Sequence, residues 1–502
     1  MAVINQVLLA TTFSVAIAGA QTAGARRDCA DLTKFAMPGV VVTKAEPVAA
    51  AAALPPHCRV DGEIDRRTGV GGKTYAIGFA LALPDSWNGR FLFQGGGGLN
   101  GNVAAPVGGQ AAGETPGLAR GFAVVTTDSG HRGAVFDGSF FEDQQASLDF
   151  YYAAIGRVTL VAKNILAAHY GRAAERSYYD GCSTGGREAM IVTQRYPTYF
   201  DGVVSGDPAI RTGYSNLNLG FIGATFDRAA PREASGKPGE LFSPAERELI
   251  RSSLLNQCDA KDGLQDGMIF NFKACDFDPI RLACTAGQTA SCLAPEKAAA
   301  LKKAFGGAHD VRGDLIYPGF PYDAGIAEGS RLPGLLFGPR IPVPVPTDSA
   351  TFDADRESAR IAADVNARTG DSTWTNLATF SGHGGKLLFY HGLSDPWFSP
   401  LDTIGYYEKL FRDNGGPARV ESWSRLYLVP GMGHCQGGSA TLDRFDMLTA
   451  ITDWVEKGNA PDSVIATGKA FPGRSRPLCA YPKYAQYNGQ GDPNDARNFV
   501  CR

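Results

Sequence analysis

The chain has 502 residues, 44% of them hydrophobic and 20% charged, an ordinary globular composition that excludes wholesale disorder, a collagen-like rod and a polytopic membrane protein. Its 48 Lys and Arg against 51 Asp and Glu leave a formal net charge of −3, so neither nucleic acid nor an anionic lipid surface is an expected partner. The length suffices for one large core with a substantial insertion.

Residues 7–17, VLLATTFSVAI, form an apolar run that ends in Ala18-Gly19-Ala20. The run is too short to span a bilayer and the ending is one a signal peptidase can read, so 1–20 is expected to be a signal peptide. The mature chain is then secreted or periplasmic, with no membrane association. Apolar, β-rich runs follow at 90–94, 122–127, 177–181, 201–206, 386–392 and 425–431, with helix-like segments around 146–169, 185–195, 401–413 and 442–457. Strand–helix alternation of this kind predicts an α/β class, a mainly parallel sheet covered on both faces. Between 210 and 378 the rhythm fails, giving way to cysteine-rich loops and the proline-rich stretch 331–348. We read 21–209 and 379–502 as two parts of one core and 210–378 as an inserted domain; a tandem second domain is the alternative.

Gly181-Cys182-Ser183-Thr184-Gly185 is a G-x-S-x-G motif preceded by a strand-like segment and followed by a helix-compatible one. A serine at such a bend is exposed at the sheet's edge, and the helix behind it points N–H groups at developing negative charge. Serine attack needs a base. Of seven histidines only His434, in LVPGMGHCQGG, directly follows a late strand, and Asp395, in HGLSDPWFSP, falls at the corresponding end of the preceding one. The order Ser183, Asp395, His434 is that of α/β-hydrolases. A loop histidine and a helix N-cap are the bland readings of His434 and Asp395, with Asp402 as rival carboxylate. Gly96-x-Gly98-x-x-Gly101 also fits a dinucleotide fingerprint, but no phosphate-capping helix follows it.

Ten cysteines, at 29, 58, 182, 258, 275, 284, 292, 435, 479 and 501, agree with an oxidising compartment and five disulfides. Zinc is the rival, but there is no C-x-x-C pair and no H-E-x-x-H. Near neighbours pair plausibly as Cys29–Cys58, Cys258–Cys275, Cys284–Cys292 and Cys479–Cys501, leaving Cys182 and Cys435 for one another. That bond would bring Ser183 and His434 together. Connectivity is not fixed by sequence, and each cysteine pairing elsewhere is the alternative.

GCSTGGRE and GMGHC, together with FLFQGGGGLNGN (91–102), GLSDPWFSPLDTIGYYEKL (392–410) and DRFDMLTAITDWVEKGNAPD (443–462), resemble the tannase and feruloyl esterase family. The resemblance implies an α/β-hydrolase core with an inserted calcium-binding lid, and a disulfide beside a Ser-Asp-His triad. It implies a carboxylic ester hydrolase acting on a small aromatic ester, with feruloyl, galloyl and terephthaloyl esters as candidate substrates. The glycine run after RFLFQ resembles the family's oxyanion loop, which assigns the amides of Gly98 and Thr184 to that role. In CDAKDGLQDGMI, Asp259, Asp262 and Asp266 crowd three carboxylates into eight residues, a hard-cation donor set without EF-hand spacing. The resemblance makes the ion a structural calcium, held by these three, the Leu264 carbonyl and the Met268 carbonyl. Trp397 and Phe398 are the nearest candidates for contact with the acyl ring, against ordinary packing under the 401–413 helix. Segment 325–377 shows no convincing cation for a free substrate carboxylate, Arg331 and Arg340 being the only guesses, so neutral phenolic esters are the expected preference. A non-catalytic binding protein on the same scaffold is the competing class, and nothing in the sequence fixes an oligomeric state.

Overall fold

The structure, a computed structural model, describes residues 26–231, 240–327 and 351–502; the expected signal peptide lies outside them. Eleven strands frame the architecture: β1 Val40–Val48, β2 His57–Thr68, β3 Thr74–Pro84, β4 Arg90–Gln94, β5 Ala123–Thr127, β6 Arg176–Cys182, β7 Gly202–Gly206, β8 Gly307–His309, β9 Leu315–Pro318, β10 Lys386–Gly392 and β11 Ser424–Val429. Nine of them form one sheet in the order β1-β2-β3-β5-β4-β6-β7-β10-β11, while β8 and β9 form a separate two-stranded hairpin. The six runs read from the sequence as strands are the contiguous part from β5 to β11, paired in parallel throughout. They are legible because parallel strands covered on both faces are nearly continuous apolar runs; every residue of β5 and β7 is buried.

The strands β1 to β3 add an antiparallel extension that joins the parallel part through β3 against β5. Charged residues hid β1 and β2, whereas β3 is an apolar run, buried along nearly its whole length, that escaped the sequence reading. In β2, HCRVDGEIDRRT, buried and partly exposed positions alternate, and the charged residues fall on the wetter face.

One face of the sheet packs against the helices Ala154–Tyr170, Thr184–Arg195 and Pro400–Asp413, the other against Met447–Lys457 and the C-terminal segment. The expected helix 146–169 is interrupted by a π-helical turn at Asp149–Ala153, and the expected 442–457 helix begins only at Met447, N-capped by Asp446. Between β7 and β10 the chain builds helices Thr212–Ala229, Pro244–Cys258 and Pro295–Phe305, which share their own apolar cluster. Leu377 and Phe380 then belong to the main core. The loops leaving β4, β6, β7, β10 and β11 all emerge at the carboxyl edge of the parallel strands, where open α/β sheets bind ligands.

Candidate active site

Ser183 sits between β6 and the helix Thr184–Arg195 with φ +65° and ψ −121°. Only close glycine neighbours allow the bend: a Cβ on Gly181 would lie 2.5 Å from the Gly185 carbonyl oxygen, and one on Gly185 would lie 2.7 Å from that of Gly96. A non-glycine residue held at positive φ in a turn that tight marks a site whose surroundings over-determine it.

Asp395 is completely buried in the loop after β10. Its Oδ1 accepts from the amides of Trp397 (2.8 Å) and Phe398 (3.2 Å), and its Oδ2 accepts from His434 Nδ1 at 2.7 Å. Burial opposes ionisation of Asp395, but the imidazoles of His434 and His391 outweigh it and hold the carboxyl well below its ordinary range. Burial likewise disfavours a charged His434, yet the neighbouring carboxylate raises its pKa above the usual histidine value. With Nδ1 donating to Asp395, Nε2 is left as the basic atom; it is buried and makes no hydrogen bond among the described residues, to Ser183 or otherwise. Hydrogen bonds of this kind often tighten only once substrate is bound. Cys182 and Cys435, immediately before the serine and after the histidine, are bonded with Cα atoms 6.0 Å apart across 253 residues. The other four pairs are Cys29–Cys58, Cys258–Cys275, Cys284–Cys292 and Cys479–Cys501.

Gly98 has φ +59°, and its carbonyl accepts from the Thr184 hydroxyl. No described acceptor takes the amide of Gly98 or of Thr184. Both residues, with Ser183, line a cavity of about 630 Å³. Trp397 and Phe398 line it too: they stack on each other (5.3 Å, 11°), lie 5.8 and 5.3 Å from the His434 ring, and cluster with Ala209, Phe136 and Leu219. The π-helical turn brings Phe150 and Tyr151 to the same wall, and Arg187 binds the two carbonyls there at 3.1 and 2.8 Å.

Several site residues escaped the sequence reading. His391, ending an apolar strand, stands behind the acid with Nε2 3.4 Å from Asp395 Oδ2 and 3.0 Å from the Phe398 carbonyl. Asp207, fully buried after β7, faces His391 at 3.7 Å. Arg360 lines the cavity but is bonded to Glu357 at 2.9 Å, and Asp364 and Asp371 line the same cavity. Arg331 and Arg340 lie outside the described residues.

In the acidic loop, Asp259 accepts from the amides of Asp266 (3.1 Å) and Gly267 (2.8 Å), and Asp262 from those of Leu264 (3.3 Å) and Phe270 (3.0 Å). Burial pushes the Asp262 carboxyl up to about 7 and raises that of Asp259, with repulsion from Asp266 adding to both and from Asp259 to Asp262. Asp266 is paired with Arg476 and Arg474, and the Met268 amide donates to its Oδ1 at 3.3 Å.

The tannase and feruloyl esterase family model matches residues 58–333 and 343–502. The mono(2-hydroxyethyl) terephthalate hydrolase of Piscinibacter sakaiensis is 39% identical over 90% of this chain and 86% of its own. Two crystal structures from Aspergillus oryzae share the architecture. An esterase superposes with a TM-score of 0.78 at 26% identity over 94% of this chain and 99% of its own, and a feruloyl esterase B with 0.78 at 25% over 95% and 100%. The chain therefore belongs to the tannase and feruloyl esterase family and is a carboxylic ester hydrolase.

Proposed function

We propose that this enzyme hydrolyses esters of phenolic acids through an acyl-enzyme formed on Ser183. His434 Nε2 takes the serine proton as Oγ attacks the ester carbonyl, then returns it to the departing alcohol. Asp395 fixes the imidazole tautomer, and the amides of Gly98 and Thr184 stabilise the oxyanion. Water, activated by the same histidine, releases the acid. The observation that carries this reading is the cavity: the serine, two amides without acceptors and a wall of aromatic rings share one space.

The acyl group proposed is a neutral phenolic one. Arg360 is already matched by Glu357, the carboxyl groups of Asp364 and Asp371 line the same cavity, and the other lining cation, Arg187, is engaged by the carbonyls of Phe150 and Tyr151, so a substrate carboxylate would have to compete for a guanidinium that is already bonded. A second reading, a terephthalate monoester, is favoured by the 39% identity to the terephthalate hydrolase. Steady-state kcat/KM for a methyl ferulate-type ester and for the charged monoester at one pH separates the two, with a higher value expected for the neutral ester. Ser183→Ala tests the chemistry itself: a loss of turnover on the order of 10⁴–10⁶ is expected, and near-normal hydrolysis by the purified variant would remove Ser183 as the nucleophile.

The inserted segment is proposed as a lid over this cavity, held by a structural calcium at Asp259, Asp262, Asp266 and the carbonyls of Leu264 and Met268. What supports the ion is charge, since Asp266 adds repulsion to the buried carboxyl groups of Asp259 and Asp262 and a hard divalent cation relieves it. Asp266 is, however, already paired with Arg474 and Arg476, and the three carboxylates are not among the clusters of described residues whose ligand atoms converge. Export through the 1–20 segment and a secreted or periplasmic location complete the proposal; no described helix is long and apolar enough to cross a membrane.

A further inference from the structure

The glycine loop that carries Gly98 is anchored through its backbone by the Asp180 carbonyl, which takes the Gly95 amide at 2.8 Å, by the Gly185 amide, which donates to the Gly96 carbonyl at 3.1 Å, and by the Thr184 hydroxyl on the Gly98 carbonyl. Gly95, Gly96, Gly97 and Gly98 have no side chains, and a run of four glycines loses more conformational entropy on ordering than any other tetrapeptide. An amide that must already point at a developing oxyanion cannot be left to such a segment unless something outside it fixes the peptide planes.

Glu188 is fully buried on the helix Thr184–Arg195 and has no ion-pair partner among the described residues. Its carboxylate is instead surrounded by donors. Oε2 accepts from the Gly96 amide at 3.0 Å and the Tyr179 hydroxyl at 2.7 Å; Oε1 accepts from Asn100 Nδ2 at 3.1 Å and the Ser129 hydroxyl at 3.2 Å. Tyr179 is a committed donor, since burial and then the charge of Glu188 hold its phenol protonated. Two of the four donors, Gly96 and Asn100, bracket Gly98 in sequence. Asn100 itself has φ +52° and closes a turn onto the Gly97 carbonyl at 3.0 Å. The Thr184 amide, the other proposed oxyanion donor, begins the same helix one turn before Glu188.

We propose that Glu188 is a positioning residue of the oxyanion hole: one carboxylate grips both ends of the glycine loop and, with the Thr184 hydroxyl and the Gly185 amide, holds Gly98 to the helix that supplies the second amide. This deepens the serine-esterase reading and rests on it. Glu188 touches neither substrate nor the reacting atoms. Its negative charge, buried near the place where an oxyanion forms, is tolerable because four hydrogen bonds satisfy it.

The test separates positioning from bulk stability. Glu188→Ala should lower kcat about 100-fold, the usual cost of losing one oxyanion donor, with KM changed less than about twofold. Affinity for an aryl boronic acid, which mimics the tetrahedral state, should fall with kcat/KM, while affinity for the product acid should not. Glu188→Gln should recover most of the activity, because the Tyr179 and Ser129 hydroxyls and the Asn100 amide can turn to re-pair with it. If Glu188→Ala does not fold, Asn100→Gly decides: it keeps the positive φ, frees one end of the loop and should cost about tenfold in kcat. Unchanged kcat in folded Glu188→Ala, or equal losses of boronic-acid and product affinity, would overturn the proposal. Full activity in Ser183→Ala would overturn the esterase mechanism instead, so the two failures are distinguishable.

Discussion

His434 meets opposing influences, burial against its charge and Asp395 in favour of it, and the carboxylate wins. The base must be neutral to accept the serine proton, so kcat/KM should rise with pH through an apparent pKa above the ordinary histidine value of about 6.5. Replacing Asp395 with Asn removes both the charge and the tautomer control. That variant should show the acid limb displaced to lower pH and a plateau reduced on the order of 10⁴-fold; a pH–rate profile measures both. The residues of the proposed triad stand out in the sequence because each follows an apolar strand and falls in a glycine-marked loop. Glu188, His391 and Asp207 were not, since their roles depend on partners scattered along the chain. For Glu188 these are residues 96, 100, 129 and 179. The only local signal was a carboxylate on the buried side of an apolar helix.

At the scale of the strand, β6 shows what the sheet tolerates beside its nucleophile. Asp180, three residues before Ser183, is buried, and neither carboxylate oxygen has a hydrogen-bond partner among the described residues. Burial first, then the nearby Asp446 carboxylate, raises its pKa well above the ordinary carboxylate range. The folded state therefore holds a proton that the unfolded chain releases near pH 4, and stability falls as pH rises above that value until the folded group itself ionises. Asp180→Asn removes this dependence. It should raise the melting temperature at pH 8 and change it little at pH 4, a difference that thermal scans at the two pH values resolve. The parallel strands announced themselves as apolar runs, whereas β1 and β2 did not, because a half-wet antiparallel strand carries charge on alternate residues; β3 is as apolar and buried as the parallel strands.

Across the whole molecule, the proposed nucleophile precedes the segment between β7 and β10 and the proposed acid and base follow it, so the site is complete only when both parts of the chain have closed on one sheet. Calcium, if held by the acidic loop, acts on this assembly by mass action: a ligand bound only by the folded protein stabilises it in proportion to its occupancy. Chelation should lower the melting temperature, added calcium should restore it, and the triad geometry should survive at temperatures where the chelated protein is still folded. An unchanged melting temperature in calcium-free protein with and without added calcium would remove the ion from the account. The segment between β7 and β10 is visible in the sequence as a failure of strand–helix rhythm, but its helices Thr212–Ala229, Pro244–Cys258 and Pro295–Phe305 are not, since turn-rich stretches interrupt the periodicity between them.

The bond between Cys182 and Cys435 also has a consequence for how the protein is made. Cys258, Cys275, Cys284 and Cys292 all lie between its two ends. An oxidant that joined cysteines in their order of appearance would produce Cys29–Cys58 and Cys479–Cys501 correctly, but would link 182 to 258, 275 to 284 and 292 to 435. Three of the five bridges would be wrong, and the nucleophile would be tethered to the insertion rather than to its base. Maturation of an active molecule therefore calls for a disulfide isomerase, or for oxidation delayed until the second half of the sheet has docked.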